Sequence, residues 1–193
     1  MGFDLTGLNP KKAKYKSPSH DLYKQDQDKF FKELEKYQNQ KGTYFRNNVW
    51  WWRPLAKYVI LFTQCVPKDE EQCWGYNDNH IVQEEDAKQI AKQLRYLIKT
   101  GHTKNFAREW EAKRKKIEKH NEKVEKELSE HTKKVQLKMK DNNLVPRDFP
   151  KKDHDKWEKI YSKRNHDGSY PFSVENVEEF AQFCEHSGGF SIG

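Results

Sequence analysis

The chain has 193 residues, a length that fits one ordinary domain with or without an appendage and excludes two full enzyme domains. Only 34% of positions are hydrophobic and 35% are charged, yet 13% are aromatic, so a compact aromatic core with a long solvated part is expected rather than wholesale disorder. Lysines and arginines number 37 against 30 acidic residues, a net +7 that favours encounter with anions such as phosphate-bearing ligands or nucleic acid.

In chain order, residues 2–9 alternate Phe3 and Leu5 with polar neighbours between glycines, the pattern of a short strand. Residues 10–41 are lysine-rich, but Leu22, Tyr23, Phe30, Phe31, Leu34 and Tyr37 recur at helical spacing, which predicts a loop and then one inserted helix over 20–40, closed by Gly42. Residues 43–49 read as a second strand. Arg53 precedes a proline and is biased away from helical geometry, whereas Pro54 suits a first turn, so a helix is expected over 54–65 with Leu55, Tyr58, Val59 and Phe62 inward and Pro67 as its stop. WGYNDNHIV reads as a loop. A second amphipathic helix over 86–99 follows, carried by Ala87, Ile90, Ala91, Leu94 and Leu97 and capped by Gly101.

Residues 103–165 change character: Trp110, Ile117, Val124, Leu128 and Val135 lie among lysines and glutamates, with Arg114 and Asn121 on the complementary seam. A turn at Val145, Pro146 and Pro150 and a return helix with Trp157, Ile160 and Tyr161 complete a helical hairpin expected to project from the core. In residues 170–193, Ser173 is an N-cap, Phe172 and Val177 form a staple, Val177, Phe180, Ala181 and Cys184 make a buried stripe, and Phe190 with Ile192 a last strand. The fold class is therefore α+β: a small antiparallel sheet of segments 2–6, 43–49 and 189–192 under about three helices. Residues 1–102 and 166–193 form the core domain, and 103–165 the hairpin.

The segment YFRNNVWWWRPL concentrates flat rings and donors. Arg46, Asn47, Asn48, Trp51 and Arg53 suit a base stacked on an aromatic while arginines hold a phosphate; the alternative is that the tryptophans cement sheet to helices and the arginines cap or pair. In the loop, Tyr76, Asn77, Asp78 and His80 would complete such a pocket by stacking and reading polar edges, or Asn and Asp would make Asx-turns at a helix entry. No P-loop, dinucleotide fingerprint, nucleophile elbow or HExxH motif is present, which leaves Asp78 with His80 as an acid/base pair in the enzymatic alternative, a phosphodiesterase-like hydrolase.

No cofactor is expected. Cys65, Cys73 and Cys184 form no CxxC pair, so they read as inert thiols in a reducing interior, and His120 and His131 lie too far apart along a helix to share a metal. The longest apolar run, Tyr58 to Phe62, falls far short of the roughly 20 residues of a membrane span, and no apolar leader opens the chain, so a cytoplasmic protein without membrane partners is expected.

Four motifs in order, GFD..G (Gly2 to Gly7), G.YFRNNVWWWRPL (Gly42 to Leu55), G.ND (Gly75 to Asp78) and YPFSVENV with a closing GGF (Tyr170 to Phe190), resemble a family of bacteriophage proteins. Many relatives in that family carry paired cysteines like a zinc knuckle where this chain has its lysine-rich hairpin, so the resemblance implies no metal here. It implies phage origin, a site of action inside the infected bacterial cell and a shared core, and brings no established activity. Small accessory phage proteins frequently counter host defence, some by sequestering nucleotide-derived signals, which makes a nucleotide-like ligand the leading expectation. The runner-up is a host protein or nucleic acid bound through residues 103–165. The oligomeric state is left open.

Overall fold

The computed structural model describes residues 2–193 and divides them into two compact units, residues 2–108 with Pro171–Gly193, and Glu109–Tyr170. The sequence placed these boundaries at 103 and 165. The first falls later because the start of the long helix supplies rings to the first unit, where Tyr58 packs against His102 and Phe106 at ring distances of 5.9 and 4.9 Å; the second falls later because the chain up to Tyr170 is bonded within the second unit, Asn165 to Asn121 and the Tyr170 carbonyl to Trp110 Nε1 at 2.7 Å.

The first unit is α+β. Strands β1 (Gly2–Gly7), β2 (Tyr44–Asn48), β3 (His80–Val82) and β4 (Phe190–Ile192) form one antiparallel sheet in the order β2-β1-β4-β3. In register, Leu5 lies opposite Phe45 on one side and Ile192 on the other, so the period-2 alternation puts Phe3, Leu5, Phe45, Phe190 and Ile192 on one buried face. Strand β3 corrects the expected loop: three residues on the sheet edge carry too little local pattern to be seen, and their pairing partner comes from the far end of the chain.

Between β1 and β2 stand two helices where one was expected, α1 (His20–Gln25) and α2 (Gln27–Gln38). Asp26 causes the break. Its extended backbone (φ −152°) ends the first helix, and its carboxylate accepts from Lys29 N to start the second. The apolar residues of this insertion pack on one another, with Tyr23 edge-on to Phe30 and Phe31, and no residue of either helix is buried.

Helix α3 (Val49–Thr63) begins five residues before the expected start at 54, because Asn48 caps it, accepting from Trp50 N and Trp51 N at 3.0 and 3.1 Å. Pre-proline bias is a preference, and here capping plus burial of Trp52 override it. The helix ends at Gln64, in the left-handed region at φ 56°, and not at Pro67. Helix α4 (Glu84–Lys99) buries Ala87, Ile90, Ala91 and Leu94, and packs along α7 (Val174–Ser187), which Ser173 caps through Asn176 N and Gly188 closes at φ 64°.

At the centre, Trp52 is fully buried, stacked between Phe3 at 5.4 Å and Trp74 at 5.9 Å, with Phe180 edge-on; its Nε1 donates to the Trp74 carbonyl at 2.7 Å. Gly42 lies where β2 passes α7: its φ is +81°, and a Cβ there would meet the His186 backbone at 2.3 Å. Gly42→Ala is therefore expected to lose at least about 1–3 kcal/mol from the backbone conformation alone, read as a lower denaturation midpoint.

The second unit contains most of α5 (His102–Met139), which starts in the first unit, and α6 (Lys151–Tyr161). Val124, Leu128 and Ile160, with Trp157 against them, form its small core. Both residues that interrupt the heptad are used: Arg114 pairs with Glu111 and Glu118 at 2.8 and 2.6 Å, and Asn121 clasps the Asn165 backbone, donating to its carbonyl at 2.7 Å and accepting from its N–H at 3.0 Å. Among the described residues no helix is long and apolar enough to cross a membrane.

Candidate functional site

The helical start at Val49 rearranges the predicted pocket, because a helix turns successive residues by roughly 100° where a strand would alternate them. The three tryptophans accordingly separate in burial: Trp50 is 45% exposed, Trp51 is half-buried and Trp52 is core. Past them, Arg53, Lys57, Ile60 and Leu61 recur at i, i+4, i+7 and i+8 on a face of α3 beside its core stripe. That face is one wall of an open groove of about 870 Å³. The segment after the helix supplies the other wall, where Lys68, Asp69 and Glu71 bring charge and Trp74 and Tyr76 bring rings.

Of the predicted residues the groove gathers Arg53 and Tyr76. Tyr76 is 64% exposed. Trp74 is buried, and among the described residues its Nε1–H has no acceptor, a donor left unsatisfied at a lining residue. Lys57 and Lys68 escaped the sequence reading. Placing the helix start at Asn48 would have revealed Lys57 one turn beyond Arg53; nothing local marks Lys68.

The other predicted residues do not line the groove. Arg46 lies on the outer face of the sheet, with its Nε 3.4 Å from the Asp4 carboxylate, which also accepts from the Tyr44 hydroxyl. Asn47 donates to the Asn176 side chain at 3.0 Å, tying β2 to α7, and Asn48 is the helix cap. Trp51 is not among the lining residues. Asn77 donates to the Gly2 carbonyl at 2.7 Å, Asp78 is exposed, and His80, on β3, lies 3.3 Å from the Glu70 carboxylate at an ion-pair distance without hydrogen-bond geometry. Among the described residues no hydrogen bond or ion pair joins Asp78 to His80.

Burial, reinforced by the Asp4 carboxylate, pushes the Tyr44 hydroxyl from 10.0 up to about 12. The folded chain then keeps a proton that the unfolded chain loses. Tyr44 therefore contributes stability that is fully present below pH 10.0 and lost as pH rises through about 12. Replacing it with Phe is expected to flatten that part of the stability-pH curve, and an unchanged slope would dissociate Tyr44 from Asp4.

The thiols are free. Cys65 is raised by burial, and Cys184, fully enclosed, is raised well above the ordinary range, so neither is a ready thiolate. His120 and His131 each bond a backbone carbonyl at 2.8 Å, from Lys163 and Asp153. Among the described residues one group has the donors for a cation, His154, Asp155 and Glu158, with ligand atoms within 4.8 Å of one another on the surface of α6. His154 and Glu158 stand at i, i+4 on one helix, a spacing that the distant His120 and His131 lack.

No protein-family model, curated protein or solved structure matches the chain.

Proposed function

We propose that the α3 groove binds a small anionic ligand with a flat ring, nucleotide-like in character, and holds it away from other partners. The observation that carries this reading is the joining of Arg53, Lys57 and Lys68 with the exposed ring of Tyr76 in one cleft. Guanidinium and ammonium groups on the wall bind phosphate oxygens by charge-assisted hydrogen bonds, and a ring face stacks on a base. Asp69 and Glu71 on the same wall accept from the amino edge of a base, so a ligand carrying both phosphate and ring donors fits better than inorganic phosphate.

The motif resemblance to phage proteins supports a role in infected cells, with sequestration of a nucleotide-derived signal as the form such binding takes. The test is native mass spectrometry of the protein recovered from infected, defence-active cells. A bound mass with a nucleotide's absorbance is expected in the parent chain and is expected to be lost with Arg53→Ala and Lys57→Ala together. Recovery of the parent chain without an adduct, or of the same adduct on the variant, would contradict the assignment.

A further inference from the structure

We infer that the surface of α6 carries a binding site for one divalent, zinc-type metal ion, with His154, Asp155 and Glu158 as its ligands. One donor atom from each of the three lies within 4.8 Å of the other two. Helical geometry alone brings them together. At roughly 100° per residue, Glu158 falls about 40° round the helix from His154 and about 60° from Asp155, so the three occupy one arc across two successive turns.

Both carboxylates are available to an ion. Asp153, next to them in sequence, is already paired with Lys138 at 2.9 Å, whereas among the described residues neither the Asp155 nor the Glu158 side chain makes an ion pair or a hydrogen bond. The lysines of α6 mostly face elsewhere: Lys152, Lys156 and Lys159 lie about 90–150° from the middle of the arc. Lys151 shares the arc one turn earlier, where its exposed side chain extends into solvent.

A zinc-type ion holds nitrogen and oxygen donors at about 2.0–2.2 Å, which sets neighbouring donors about 3.3 Å apart in a tetrahedral shell. Closing from 4.8 Å to that spacing takes only side-chain rotation on a fixed helix, with the half-buried His154 as the anchor and the exposed Asp155 and Glu158 swinging inward. The donor set selects the ion. Magnesium and calcium take all-oxygen shells, whereas one imidazole with two carboxylates suits zinc and its first-row neighbours. Three protein ligands leave one position for water. The bound ion ties two turns of α6 together near the end where Pro150 offers no side-chain cap, so binding supports the helix where it starts.

The full chain, stripped of metal with a chelator, would be titrated with zinc chloride by calorimetry while its histidine ring nitrogens are followed by NMR. One equivalent is expected to bind saturably, with the His154 ring signals the ones that move, and magnesium chloride is expected to leave them in place. Zinc affinity should fall at least about tenfold for His154→Ala and for Glu158→Gln, a loss that even changes outside the ligand shell produce in metal sites. It should stay unchanged for His20→Ala, an exposed histidine on α1. Four results would overturn the assignment: no saturable zinc binding, movement centred on another histidine, equal zinc affinity in the Glu158→Gln chain, or magnesium binding as tightly as zinc.

Discussion

Replacing Trp52 with alanine is expected to destabilise the chain by about 3–5 kcal/mol, the usual cost of removing a large buried aromatic side chain. Trp52 is fully buried, stacks on Phe3 and Trp74, meets Phe180 edge-on, and donates to the Trp74 carbonyl, so its loss opens a cavity at the point where β1, α3, α7 and the Trp74 turn meet. Trp50, two residues away and 45% exposed, should lose less stability than Trp52 on the same substitution, because less of its side chain is buried. Urea denaturation of the two variants measures the difference. Equal losses would mean that the tryptophans are not arranged on a helix as described.

The second large effect is on binding. Arg53→Ala is expected to weaken a nucleotide-like ligand about ten- to a hundredfold, the loss of a charge-assisted contact of roughly 1.5–3 kcal/mol, while leaving the denaturation midpoint nearly unchanged, because Arg53 is on the exposed side of α3. Lys57→Ala, one turn along, should act in the same direction. Arg46→Ala should not weaken binding, since Arg46 is held beside Asp4 on the outer face of the sheet. This separation of the two arginines departs from the sequence expectation and makes the groove testable against it.

What was legible in the sequence is instructive in its particulars. The core stripes of α4 and α7 could be read because apolar spacing, the Ser173 cap and the closing glycine all agree on one answer. The start of α3 was misread because two local signals conflict: Pro54 marks a first turn, while Asn48 offers a cap six residues earlier, and only the burial of Trp52 decides between them. Strand β3 escaped because its evidence is the pairing of His80 with Ile192, a contact between distant parts of the chain. The site suffered from the same misplacement. Arg53 and Tyr76 were found by residue type, whereas Lys57 needed the correct helical register and Lys68 needed the tertiary fold.

Isothermal titration of the full chain with a panel of mononucleotides, cyclic dinucleotides and inorganic phosphate reads out whether the α3 groove is a ligand site. Saturable binding of at least one nucleotide is expected, tighter than phosphate, weakened about tenfold or more by Arg53→Ala and unaffected by Arg46→Ala. Failure of every nucleotide to bind, or binding that Arg46→Ala abolishes and Arg53→Ala spares, would contradict it.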